Sequence, residues 1–267
     1  MKSILRDIHW LILMSGTVGA LLRFCLLLEG TDEKGLYPAN HFAWPVLVLF
    51  TVAVLAVLFL TTRYAGKSRR YRDNFPPSIP GALGFVIGAI GLFLTGLNGI
   101  ADPNILARLE CIVAIPAATG LLLAGWCRFK GERVHYLVFL LPCLFFALHL
   151  FSMGRFYGNE PEGSRFLYAF FASAAAATAF YLLWGYAVDL GNRALSLFFS
   201  LAAVYLCMVA APSSQNTLLY ITTAVCLVCN LCPRMEPVRR EVPVAPEAEP
   251  DAQMDPIIQE INDLQED

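Results

Sequence analysis

TLLYITTAVCLVCNLC (Thr217–Cys232) is a 16-residue apolar run that stops against Pro233 and Arg234. A helix needs roughly 20 predominantly apolar residues to cross the hydrocarbon core of a bilayer. The run reaches that length when its helix starts near Ser213, and whether it crosses sets the parity of the chain. Seven longer runs precede it, at Ile8–Leu28, Phe42–Thr62, Pro80–Leu97, Ile105–Cys127, Val134–Met153, Phe166–Val188 and Ala194–Ala211. With the eighth, the chain crosses an even number of times and ends on the side where it began.

Composition supports this. Of the 267 residues, 57% are hydrophobic and 15% charged, with a mean hydropathy of +0.60. A soluble domain is about 45–50% apolar and about 25% charged. The expected fold class is therefore all-α: a polytopic bundle of eight transmembrane helices.

The basic residues give orientation independently, because cytoplasmic loops collect Lys and Arg. Eight crossings from an inside N-terminus put Lys2, Arg6, Arg63, Lys67, Arg69, Arg70, Arg72, Arg128, Lys130, Arg133, Arg193, Arg234, Arg239 and Arg240 on one side, 14 in all. The other side receives only Lys34, Arg155 and Arg165. Both termini are thus expected in the cytoplasm, and the pattern suits a bacterial cytoplasmic membrane. Trp10, Trp44, Trp126 and Trp184 fall near span ends, where amphipathic aromatic rings prefer to sit. Lys2 and Arg6 before an apolar run imitate a signal peptide, but the run continues past Ala20 to Leu28, so the first helix is expected to be retained.

Residues 1–232 read as the membrane body and 233–267 as a disordered cytoplasmic tail. The tail stretch EVPVAPEAEPDAQMDP is too poor in apolar groups to offset the entropy of ordering. The last 34 residues hold 10 of the 21 acids and 3 of the 19 bases, a net of −7 against +5 for the body. Near the end, Ile257, Ile258, Ile261 and Leu264 share one face of a short amphipathic helix at 256–265. A helix this short is marginal alone, so it is a candidate motif for docking a cytoplasmic protein partner.

Small residues mark the helices expected deep in the bundle, since close backbone approach drives helix association in lipid. Gly81, Gly84, Gly88 and Gly91 form a stripe on the third span, and Ala172–Ala179 is small all round on the sixth. Pro116 and Pro142 interrupt the fourth and fifth spans. An offset of 126 residues aligns His9-Trp10-Leu11-Ile12 with His135-Tyr136-Leu137-Val138, which either two parallel four-helix halves or chance would produce.

Ionisable groups inside spans are costly and so are functional candidates. Arg23 lies five residues before the outer end of the first span, and Glu110 five after the outer start of the fourth. Both sit roughly 7–8 Å below one interface. Arg108 and His149 lie near that level, so Arg23, Arg108, Glu110 and His149 form a candidate outer-leaflet polar cluster; the alternative is that the arginines reach for the headgroups while Glu110 neutralises one of them.

No HExxH, GxSxG, phosphate-binding glycine loop or paired carboxylate appears, and no metal or cofactor is expected. Cys226, Cys229 and Cys232 lack the fourth cysteine of a cluster-binding run. Packing is the reading we take for them, with acylation, redox sensing or metal ligation as alternatives. Nothing points to nucleic acid, and oligomeric state is not legible. Three functional classes remain: a non-catalytic anchor, sensor or assembly factor with a partner-binding tail; a small-solute permease with an outward-facing polar pocket; and an integral membrane enzyme acting on lipid. The missing catalytic constellation places the first ahead.

Overall fold

The computed structural model describes residues 2–29, 43–65, 68–100, 105–157, 163–213 and 216–231. All lie in the compact unit Met1–Pro237; the second unit, Val238–Asp267, falls outside the described residues, and so do the tail motif at Ile257, Ile258, Ile261 and Leu264 and the third cysteine, Cys232. Every regular element among the described residues is helical. They are α1 (Lys2–Glu29), α2 (Ala43–Thr62), α3 (Tyr71–Asn74), α4 (Ile79–Gly99), α5 (Ile105–Lys130), α6 (Leu137–Tyr157), α7 (Gly163–Ala187), α8 (Arg193–Ala210) and α9 (Thr217–Leu231).

A helix stands at each of the eight apolar runs. Seven of them are long and apolar enough to cross a membrane, while α9 has 15 residues, or roughly 22 Å at 1.5 Å per residue. Large apolar side chains cover the outside, among them Leu49 at 69% exposure and Met14 at 66%. An apolar surface this extensive is unstable in water and at home in lipid.

Local chemistry sets the helix ends. Ser78 caps α4 by accepting from the Gly81 amide at 3.2 Å, with Pro80 in the first turn, where its missing N–H costs nothing. Asn192 caps α8 in the same way through the Leu195 amide. At the end of α5, Gly131 takes φ +74°, and the Glu132 amide turns back to the Cys127 carbonyl at 2.9 Å. α5 and α6 continue through Pro116 and Pro142.

Packing follows a simple plan. Helices α4 to α9 form a closed ring, each against the next, with α9 returning to α4; α1 lies outside against α8, and α2 against α1 and α8.

The α4–α9 seam explains the two motifs that stood out as sequence. The glycine stripe faces α9, where a Cβ on Gly91 would overlap the Thr222 hydroxyl, one on Gly88 would meet Cys226 Cβ at 2.9 Å, and one on Gly84 would meet Cys229 Cβ at 2.5 Å. Where α4 begins and α9 ends, Asn230 Nδ2 donates to the Gly81 carbonyl at 3.2 Å. Cys226 and Cys229 thus fill the groove that the bare backbone of α4 leaves, as small apolar side chains do.

Candidate functional site

Polar side chains meet inside the ring, in the half where α5 begins and α6 ends. Glu110, in the second turn of α5, places Oε2 3.0 Å from Nδ1 of His149 on α6. His149 Nε2 lies 3.4 Å from the Tyr220 hydroxyl of α9. That hydroxyl is 3.0 Å from Ser173 Oγ on α7 and 3.2 Å from the Ala169 carbonyl. α9 neighbours α4 and α8 in the ring, so its bonds to α6 and α7 cross the interior. His149, Ser173 and Tyr220 are each at most 4% exposed. The line Glu110–His149–Tyr220–Ser173 therefore lies on the ring axis, and the ion pair at its head exists only while His149 carries a proton.

Below this line the axis is aromatic. Phe145 stacks parallel to the His149 ring at 6.0 Å, and Phe146 stacks on Phe180 at 5.8 Å. Further in, Phe139 meets Phe85 and Phe75. Phe75 belongs to the segment after α3, yet it also touches Tyr186 of α7 and lies 4.9 Å beneath the Arg128 guanidinium of α5. A loop residue with partners on three ring helices plugs this end of the ring. Tyr71 stacks on Phe75 at 4.8 Å. Burial raises the Tyr71 phenol well above the ordinary tyrosine range, and Arg128 nearby offsets only part of that.

Asp189 latches this plug. Its Oδ1 accepts from the Tyr71 amide at 3.1 Å and its Oδ2 pairs with Arg133 Nη2 at 2.8 Å. Both ionic partners are about half exposed, so the pair itself is worth little; the backbone bond is what ties the loop to the bundle. Asp189 adopts φ +57°, which Asp and Asn tolerate better than other non-glycine residues. Replacing Asp189 with Ala is expected to loosen the plug and to speed limited trypsin cleavage at the exposed Arg69 and Arg70. Asp189→Asn, which keeps an acceptor oxygen, should be cleaved at close to the wild-type rate.

The structure brings Glu110 and His149 together and sets Arg23 against other partners. Arg108 is exposed on α5. Arg23 is fully buried on the far flank of α7, its guanidinium 5.2 Å from the Tyr168 ring and 5.5 Å from that of Trp44. Tyr168 and Tyr205 each bond the Thr51 hydroxyl at 3.0 Å. Beside them a cavity of ≈ 400 Å³ opens between α2, α7 and α8, walled by side chains such as Val48, Leu55, Phe171 and Phe198. Of its hydroxyls, Thr51 and Tyr168 bond each other and Thr178 donates to the Ala174 carbonyl, so it presents carbon to any occupant and is distinct from the polar line. Among the described residues, no group of three or more His, Cys, Asp or Glu is placed to hold a metal.

Sequence reading missed Tyr220 and Ser173. The available signal was weak: Ser173 is the first hydroxyl in the alanine run, and Tyr220 lies one turn into the shortest span.

Taken with the lipid-facing surface, the fold and this buried line define a multi-pass helical membrane protein in contact with the bilayer. Comparison of the chain with protein-family models, with curated proteins and with solved structures gave no match. Its function is therefore argued from geometry.

Proposed function

We propose that the protein is a non-catalytic small-solute permease of the cell membrane, with eight spans and both ends in the cytoplasm. The observation that carries this is the Glu110–His149–Tyr220–Ser173 line, drawn from four helices onto the axis of a ring. Burying polar and ionisable groups in a bundle is expensive and marks solute and ion pathways. The plugged end at Tyr71 and Phe75 adds to it, because a permease must keep one end shut while its site serves the other. The 14-to-3 distribution of Lys and Arg supports the orientation. Local thinning of the bilayer accommodates the short α9.

A carboxylate, an imidazole and a hydroxyl in series also make a hydrolytic triad. There the nucleophilic hydroxyl bonds the imidazole directly. Here Tyr220 occupies that place and Ser173 lies one bond further on, so we assign the line to binding.

The test is access. Ser173→Cys in intact cells would be treated from outside with a membrane-impermeant charged methanethiosulfonate, and the purified chain weighed for one adduct more than wild type. Labelling is expected. If Ser173→Cys stays unmodified while the exposed control Arg108→Cys reacts, the axis is closed to solutes and the reading fails. The charge and apolar face of the tail support a second reading, in which the body anchors a recruiter. Deletion of 233–267 that abolishes the cellular phenotype, with the polar line dispensable, would favour it.

A further inference from the structure

We infer that the polar line is a one-proton switch and that the ion coupled to solute movement is H⁺, an inference that rests on the permease reading of the same site. The support is a count of donors and acceptors. With His149 neutral, Nδ1–H donates to Glu110 Oε2, and Nε2 accepts from the Tyr220 hydroxyl; Ser173 donates to Tyr220 or to the Ala169 carbonyl, 2.9 Å away. With His149 protonated, Nε2–H donates to the Tyr220 oxygen. Tyr220 then turns its own hydrogen to the Ala169 carbonyl at 3.2 Å or to Ser173. Each state gives His149, Tyr220 and Ser173 a partner, with no heavy atom displaced; Glu110 bonds through Oε2 in both, while its buried Oε1 has no hydrogen bond in either. A buried network changes protonation state readily only where the change strands no further donor or acceptor, since each newly unmet group costs about 1–3 kcal/mol.

The step balances simply. One proton enters from the outer aqueous side and ends on His149 Nε2, the Tyr220 O–H bond rotates, and the net charge of the line rises from −1 to 0. Among the described residues, the other charged groups on the packed elements stand as follows. α5 supplies Glu110; its Arg108 is exposed, and its Arg128 and Lys130 stand in its last turn, over Phe75 and Trp126. α6 adds Arg155, also exposed at its outer end. From α7, Tyr168 turns to Thr51 and Arg23; α9 supplies Tyr220, its Cys226 and Cys229 lying in the seam with α4. α4 has no charged residue along Ile79–Gly99, and the charge on α8 is Arg193 at the inner end. Histidine is the side chain whose ordinary titration falls between pH 5 and 8, where a transmembrane proton gradient operates.

The experiment is ¹⁵N-histidine NMR of the full chain in lipid nanodiscs from pH 5 to 8. The chain has four histidines, and loss of one signal in His149→Gln assigns it. The expected result is a His149 signal that passes from a neutral ring protonated at Nδ1 to the imidazolium. Tyr220→Phe should shift the neutral-form Nε2 resonance, because the bare nitrogen loses its donor. One protonation state held throughout, or an Nε2 signal indifferent to Tyr220→Phe, overturns the switch. The two proposals fail separately. A titrating His149 with an unreactive Ser173→Cys ends the permease reading and leaves the proton switch; a labelled Ser173→Cys with a fixed His149 does the reverse.

Discussion

Gly91→Leu is expected to unfold the bundle at its most intimate seam. A Cβ at Gly91 has no room, because it would overlap the Thr222 hydroxyl and lie 2.6 Å from Thr222 Cβ. Thr222 cannot yield freely, since its hydroxyl is held by the Leu218 carbonyl at 2.8 Å and its helix is packed on both neighbours. Overpacking by a methyl or two costs about 1–3 kcal/mol, so Gly91→Ala should lose that much and Gly91→Leu more. Against a typical total stability of about 5–15 kcal/mol, the leucine variant should yield little monodisperse protein in detergent. Gly154→Leu is the control. It is the same change in another membrane helix, where a Cβ meets nothing within 4 Å. It should match wild type in yield and in thermal denaturation midpoint. Equal losses at both positions would show that leucine acts through helix propensity or expression, and the interlock of α4 with α9 would be refuted.

That seam shows what a single sequence reveals and what it withholds. The glycine stripe and the cysteine spacing were both visible, because each is a periodic pattern within one helix. Nothing along the chain says that Gly84 meets Cys229 or that Gly91 meets Thr222, residues well over a hundred positions apart. Depth was legible in the same limited way. Counting residues from span ends puts Arg23 and Glu110 at one level, but depth does not fix the angle around the bundle. The structure sets them on different flanks of α7, Arg23 against Tyr168 and the Glu110–His149 line against Ala169 and Ser173. Glu110 and His149 announced themselves because charge in a span is costly. Ser173 and Tyr220 did not, since a hydroxyl can satisfy itself on its own helix, as Ser173 does on the Ala169 carbonyl. The plug escaped notice for another reason. α3 is four residues long, too short for any period to show, and Phe75 gains its meaning only from partners on α5, α6 and α7.

The head of the polar line yields the second large effect, and it is a matter of sign as much as size. His149→Leu leaves the Glu110 carboxyl, at 15% side-chain exposure, without its bonded partner inside the bundle. Removing one member of a buried pair costs about 3–5 kcal/mol, and the partial exposure of Glu110 places this variant at the lower end, about 3 kcal/mol. Glu110→Leu strands a neutral N–H on His149 instead, at about 1–3 kcal/mol for an unmet donor. The double variant strands neither, and Tyr220 keeps its bonds to Ala169 and Ser173. Replacing a buried pair by apolar residues of similar volume is often neutral, so the double should be more stable than His149→Leu alone. A double-mutant cycle read by denaturation in mixed micelles would show this as a favourable coupling of about 1–3 kcal/mol. Additive losses would mean that the carboxylate and the imidazole do not bear on each other. The line would then be broken at its first link, and both the solute site and the proton switch would lose their common foundation.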